Sequence, residues 1–279
     1  MKHKCSLLSV VFVILQFFID NYCNAGQFYT MKSPCTLVSV DILSLIGSNI
    51  GSIGYGAEDF SFSPDGVLYA SADINKFGVH GSAQTLITVD IDTGIGTIVG
   101  GIGFGDVDAM AFAPDGTLFG ADAHTDCLIK IDPATGAGTT VGATGFSLIG
   151  GMDFSADGVL YATDISGKRG GPSTLITIDT TTGLGTAIGP IGFNTVEGIA
   201  FTPDGTLYGI SDFLGGGTGQ LITIDLLTGA GTAVAQIITS GNMDGLAYIP
   251  EPTAVLLLGI GGLVLRKSNR KVRRLRREF

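Results

Sequence analysis

A five-residue motif, Asp-x-x-Thr-Gly, returns along the chain at Asp90, Asp132, Asp179 and Asp225, with a degenerate first copy at Asp41. The intervals are 49, 42, 47 and 46 residues, a mean period of 46. A second motif, Pro/Ala-Asp-Gly, keeps step with it at Asp65, Asp115, Asp157 and Asp204. A repeat of this length has room for four short strands, which is the signature of a β-propeller blade. Composition agrees with many tight turns: 44 of 279 residues are Gly and only 14% are charged, against ordinary values of about 7% and about 25%. Long helices and coiled coils are excluded.

Apolar alternation places the strands. In one repeat, strand a falls at Gly198–Thr202, strand b at Thr206–Ile210, strand c at Leu221–Ile224 and strand d at Gly231–Ala235. Asp-Gly between apolar runs is a hairpin signal, and the Asp of the other motif can close an Asx turn. Nine Asp residues, those of the two motifs with Asp41, are thereby read as turn formers. The domain opens with Gln27–Thr30, Leu37–Asp41 and Ile50–Ile53, which read as b, c and d without an a. It finishes at Asp244–Tyr248, an a with nothing after it. The expected fold is all-β: a five-bladed β-propeller over 26–250, closed by pairing the N- and C-terminal strands, which removes open sheet edges. The repeats resemble the generic Phe-Ser/Thr-Pro-Asp-Gly-x-Leu-Tyr propellers of bacteria and carry neither a WD40 nor a kelch signature.

Charge is segregated. Between residues 26 and 250 stand five basic residues, Lys32, Lys76, Lys130, Lys168 and Arg169, against 22 acidic ones, a balance of −17. Such a domain repels phosphate backbones, so nucleic acid is excluded as its partner. Residues 1–25 instead have a basic start (Lys2, Lys4), an apolar run from Cys5 to Ile19 and a polar end with small residues at Cys23 and Ala25. That is the layout of a secretory signal cleaved after Ala25; a retained membrane helix is the alternative.

The other end reads Pro250-Glu251-Pro252, an apolar run over 253–265, and an Arg-rich terminus over 266–279. Thirteen apolar residues are short of the ~20 that span a bilayer comfortably, but the cations after them would hold the tail in the cytoplasm. This order of motif, membrane segment and basic end resembles the PEP-CTERM sorting signal of Gram-negative bacteria. The resemblance covers residues 250–279, with Ile249 where the family usually has Val. It implies recognition of Pro250, Glu251 and Pro252 by an exosortase-type membrane enzyme and delivery to the cell surface or the extracellular matrix. Cys5 and Cys23 would leave with the signal. Cys35 and Cys127 fall in different repeats, so two small apolar thiols are expected, although an exported pair can form a disulfide.

Subtracting the turn formers leaves thirteen acidic residues. Aligned on the strand-a aromatics Phe62, Phe112, Phe154, Phe201 and Tyr248, the residue four earlier is Glu58, Asp108, Gly150, Glu197 and Asp244. Four carboxylates would thus ring one mouth of the channel. Strand b returns to that mouth and ends at Asp73, Asp122, Asp164 and Asp212. The b–c loops beyond them, 74–84, 123–126, 165–173 and 213–219, are the most variable parts of the repeat, and a rigid scaffold carries its function on its variable face. Converging carboxylates repel unless a cation joins them. Ca²⁺, with six to eight oxygen ligands, suits such a ring, while His80 and His124 are not in zinc-ligand spacing. A solvated acidic rim is the plainer reading.

The expected role is a non-catalytic binding or structural one at the cell surface, with an extracellular polysaccharide or a surface protein as partner. The alternative is a metal-dependent, lactonase-like hydrolase, with Glu58 or Glu197 and Asp108 or Asp244 holding an ion whose water attacks an ester. No nucleophile motif appears. Tyr69, Phe119, Tyr161 and Tyr208 share one repeat position and are read as core.

Overall fold

The computed structural model describes residues 26–32, 35–42, 44–74, 84–165, 171–212, 218–238 and 243–250. The expected leader with Ala25, the membrane segment, Glu251, Pro252 and the basic end lie outside them. Among the described residues all regular structure is strand, and no helix is long and apolar enough to cross a membrane.

The chain begins with β1 (Gly26–Lys32), β2 (Thr36–Asp41) and β3 (Gly47–Ser52). Blade 1 is β4 (Gly56–Phe62), β5 (Leu68–Asp73), β6 (Thr85–Val89) and β7 (Gly96–Gly101). Blade 2 is β8 (Val107–Phe112), β9 (Leu118–Asp122), β10 (Cys127–Ile131) and β11 (Gly138–Ala143). Blade 3 is β12 (Ile149–Phe154), β13 (Leu160–Asp164), β14 (Pro172–Ile178) and β15 (Gly185–Asn194). Blade 4 is β16 (Val196–Phe201), β17 (Leu207–Asp212), β18 (Thr218–Ile224) and β19 (Gly231–Ile238), and β20 (Met243–Pro250) follows. Each blade is a four-stranded antiparallel sheet in chain order, and the fifth has the order β20-β1-β2-β3. The five-bladed ring closed by its first and last strands is therefore the fold.

One boundary differs from the sequence reading. The outer strand of blade 5 runs Gly47–Ser52, with Val40 opposite Gly47, rather than Ile50–Ile53. Outer strands bury little, so apolar alternation marks them poorly. The glycine that begins each of them, Gly47, Gly96, Gly138, Gly185 and Gly231, marks them better.

Both repeat motifs form the turns expected of them. Asp90 Oδ1 accepts from the amides of Asp92 (3.1 Å) and Thr93 (2.8 Å) and from the Thr93 hydroxyl (2.8 Å). Ser63 Oγ donates to Asp65 Oδ1 at 2.5 Å, while the Gly66 amide closes the turn on the Ser63 carbonyl at 2.8 Å.

The Asp-x-x-Thr-Gly motif also joins blades. A Cβ on Gly100 of β7 would lie 2.1 Å from the Thr135 carbonyl oxygen, and one on Gly142 of β11 would lie 2.1 Å from that of Thr182. The outer strand of each blade thus lets the Thr-Gly turn of the next lie directly on its backbone. Gly51 meets Thr93 and Gly189 meets Thr228 in the same way. At the seam between blades 4 and 5 both partners change together. Ala235 takes the glycine position on β19, and Leu45, at φ 57, takes the place of the turn glycine. The Leu45 side chain packs instead against the core around Phe28, Val40 and Ile237.

Aromatic pairs fill the gaps between blades. Tyr29 packs on Phe62, Tyr69 on Phe112, Phe119 on Phe154 and Tyr161 on Phe201, with ring centroids 5.3–5.7 Å apart. At the seam Phe28 lies between Tyr208 and Tyr248. The repeated aromatic position is core, as its spacing implied.

Candidate functional site

The two ends of the ring differ in kind. At one end lie the a–b loops, 63–67, 113–117, 155–159 and 202–206, each five residues long. The c–d loops 90–95, 132–137, 179–184 and 225–230 share that end, each six residues long. At the other end the b–c connections run 74–84, 123–126, 165–171 and 213–217, so their lengths range from eleven residues to four. Length variation is confined to the end where the inner strands begin.

Glu58, Asp108, Glu197 and Asp244 all lie near the start of an inner strand at that end and are half-buried. The structure explains the position. Val107 and Ala109 face Asp122 and Ala121, so Asp108 has no opposite residue, and Glu197 stands in the same bulge between Val196 and Gly198. A bulge re-aims its side chain away from the regular pleat. Glu58 and Asp244 both act on the buried Cys35 thiol, whose pKa is raised first by burial and then by these two charges. Cys35 and Cys127 are free thiols.

The b-strand set does not form one ring. Asp122 faces Val107 and Asp164 faces Ile149, but the residue facing Ala57 is Ala72, and Ser211 faces Val196. Asp73 stands one residue further along than Ala72, opposite Gly56, and successive strand residues point to opposite faces. Asp73 and Asp122 are buried, Asp164 half-buried. Asp122 ties its own loop: Oδ1 accepts from the Asp106 amide (2.9 Å), and Oδ2 accepts from the Thr125 amide (2.9 Å) and hydroxyl (2.6 Å). Among the described residues, no three His, Cys, Asp or Glu side chains are grouped so as to hold a metal ion.

The sequence reading missed two carboxylates deeper in the ring. Asp59 and Asp153 lie on inner strands, where the other blades carry mostly Ala or Gly. Asp59 Oδ2 accepts from the Met110 amide of the next blade at 2.8 Å, and Ser61 Oγ from that of Phe112 at 3.0 Å. Asp153 Oδ2 accepts from the Phe201 amide at 2.6 Å. These side chains serve as clips between inner strands. Asp59 has room because a Cβ on Gly245 would come within 2.8 Å of its Oδ1. Burial raises both carboxyls. Asp153 rises to about 7, and Asp59 rises well above the usual range, with Asp153 and Asp108 adding to the effect. One signal was available: a single Asp at positions that elsewhere hold small residues.

Comparison with known proteins places the fold. No family model matches the chain, and no curated protein matches its sequence. Solved structures do match. A chain in the crystal structure of a nidogen/laminin complex aligns with a TM-score of 0.56 at 12% identity, over 80% of this chain and 98% of that one. A Bacteroides thetaiotaomicron protein of unknown function gives 0.54 at 15%, over 76% and 55%. TolB from Acinetobacter baumannii gives 0.52 at 14%, over 82% and 68%. At these identities the likeness is one of fold: the chain is a β-propeller built from repeats.

Proposed function

We propose that this protein is an exported β-propeller with a non-catalytic binding or structural role at the cell surface or in the extracellular matrix. One observation carries the reading: blades 1 to 4 hold turns of constant length at one end and b–c connections of four to eleven residues at the other. A closed ring with a single variable end is a presentation scaffold. The partner class that suits it is an extracellular polysaccharide or a surface protein.

The ends of the chain support the same reading. The proposed signal and sorting motif flank the propeller in sequence, on either side of β1 (Gly26–Lys32) and β20 (Met243–Pro250). These strands stand as b and a of blade 5, so both ends leave where the other blades have their a–b turn. The hydrolase alternative needs an ion held by several carboxylates, and of the candidate set Asp122 is committed to its own loop.

Fractionation of a Gram-negative host expressing the full chain and a chain ending at residue 249 tests the proposal. The full chain is expected at the envelope or in the matrix, and the shortened chain in the periplasm or medium. Retention of both in the cytoplasm, or turnover of simple lactones by the full chain, would contradict it.

A further inference from the structure

The blades repeat so closely that departures from the repeat are informative, and several line one groove. It lies at the constant-turn end between blades 2 and 3, has a volume of about 700 Å³, and sits across the ring from blade 5. That volume is within the ~300–1,000 Å³ of small-molecule sites.

Two departures open the groove. Where blades 1, 3 and 4 have Ser63, Ser155 and Thr202, blade 2 has Ala113, and where blades 1, 2 and 4 have Pro64, Pro114 and Pro203, blade 3 has Ala156. In the other blades the hydroxyl donates to the turn Asp at 2.5–2.6 Å. Asp115 lacks that hydroxyl bond and accepts from the Thr117 amide at 2.9 Å; like the other turn Asp residues it is exposed.

Further departures add hydrogen-bonding groups. Lys130 stands where the other c strands have Ser39, Thr88, Thr177 and Thr223, and its cross-strand partner is Phe119 where the others have Tyr. The Lys130 ammonium lies 5.5 Å over the Phe119 ring, a cation–π contact; the Asp115 carboxyl is held below the usual range chiefly by the Thr117 amide and hydroxyl, with a smaller contribution from Lys130. Thr180 replaces the apolar residues Ile42, Ile91, Pro133 and Leu226.

We infer that this groove binds a short neutral saccharide. An ammonium, two exposed carboxylates (Asp115 and Asp157) and threonine side chains line one small-molecule volume, so donors and acceptors stand together there. Vicinal sugar hydroxyls, each both donor and acceptor, match that mixture. The inference goes beyond the proposed binding role at the variable loops, giving the domain a separate small-ligand site at the opposite end.

The test is saturation-transfer NMR of the full chain with maltose, cellobiose and diacetylchitobiose, followed by titration. The comparison is A113S/K130T/T180L, which restores residues the other blades already fold with; K130T alone is the second variant. We expect at least one disaccharide to bind the native chain and its affinity to fall about tenfold or more in the variants, at unchanged melting temperature. Native affinity retained by both K130T and the triple variant would overturn the groove and leave a binding role intact. No binding of any of the three by the native chain would also overturn it, without touching export or the variable loops.

Discussion

The Asp153 carboxylate accepts a 2.6 Å hydrogen bond from the Phe201 amide, joining the inner strands of blades 3 and 4. The bond satisfies a backbone donor where two sheets meet, and it holds an acid in a desolvated place. Its folded pKa is raised to about 7, so the folded state holds the proton more tightly than the unfolded one. Stability therefore falls as pH rises from about 4 towards 7, and is insensitive to this group below that window.

Asp153→Asn keeps an acceptor for the Phe201 amide and removes the titration. Chemical denaturation at pH 5 and pH 7.5 should show native stability dropping by at most about 3 kcal/mol, less whatever channel water screens. The variant should lose most of that drop. An unchanged pH dependence would mean that Asp153 titrates normally.

The turn carboxylates act in the opposite direction. Asp90, Asp132, Asp179 and Asp225 are held below the usual range, Asp90 chiefly by the Thr93 hydroxyl and Asp179 chiefly by the Thr182 amide. Their contribution is present above the unfolded pKa and lost as pH falls through the folded one. Acid unfolding should start at higher pH in Asp179→Ala than in the native chain, as the far-ultraviolet circular dichroism would report.

Glycine-to-alanine changes should separate the blade seams. Gly142→Ala would put a Cβ on the Thr182 carbonyl and should cost about 1–3 kcal/mol or more. Ala235→Gly, at the seam where the turn has no Thr-Gly, removes a side chain without relieving a clash and should cost at most about 1 kcal/mol. Urea midpoints of the two variants test the order.

Closure should be essential. A chain ending at residue 242 lacks β20, which leaves the β1 edge unpaired and the Phe28–Tyr248 ring contact unmade. Exposed edges pair with other chains, so this truncation should aggregate or oligomerise in light scattering while the chain ending at 249 stays monodisperse.

Blade number and closure were legible because a 46-residue period leaves few folds, and because the opening b-c-d and closing a complement each other. The turn Asp residues were legible from Asp-Gly and Asp-x-x-Thr-Gly chemistry, which is local. The contact of Gly142 with Thr182 was not: the glycines repeat visibly, but the clash they avoid lies in the next repeat. Asp59 and Asp153 were hidden for a related reason. Each occurs once, at a different inner-strand position, so alignment on the aromatics favoured the regular row of Glu58, Asp108, Glu197 and Asp244. Asp73 and Asp122 looked equivalent because both end a strand, and only the pairing with Gly56 and Val107 separates their registers.

The proposal that the variable end carries the binding role has a direct test. The full chain would be compared with one in which loops 74–84 and 165–171 are cut to the four-residue length of 123–126, in association with exported polysaccharide and envelope proteins of a PEP-CTERM host. The account predicts that the shortened chain keeps its melting temperature and loses association with the partner the native chain binds. Undiminished association by the folded, shortened chain would contradict it.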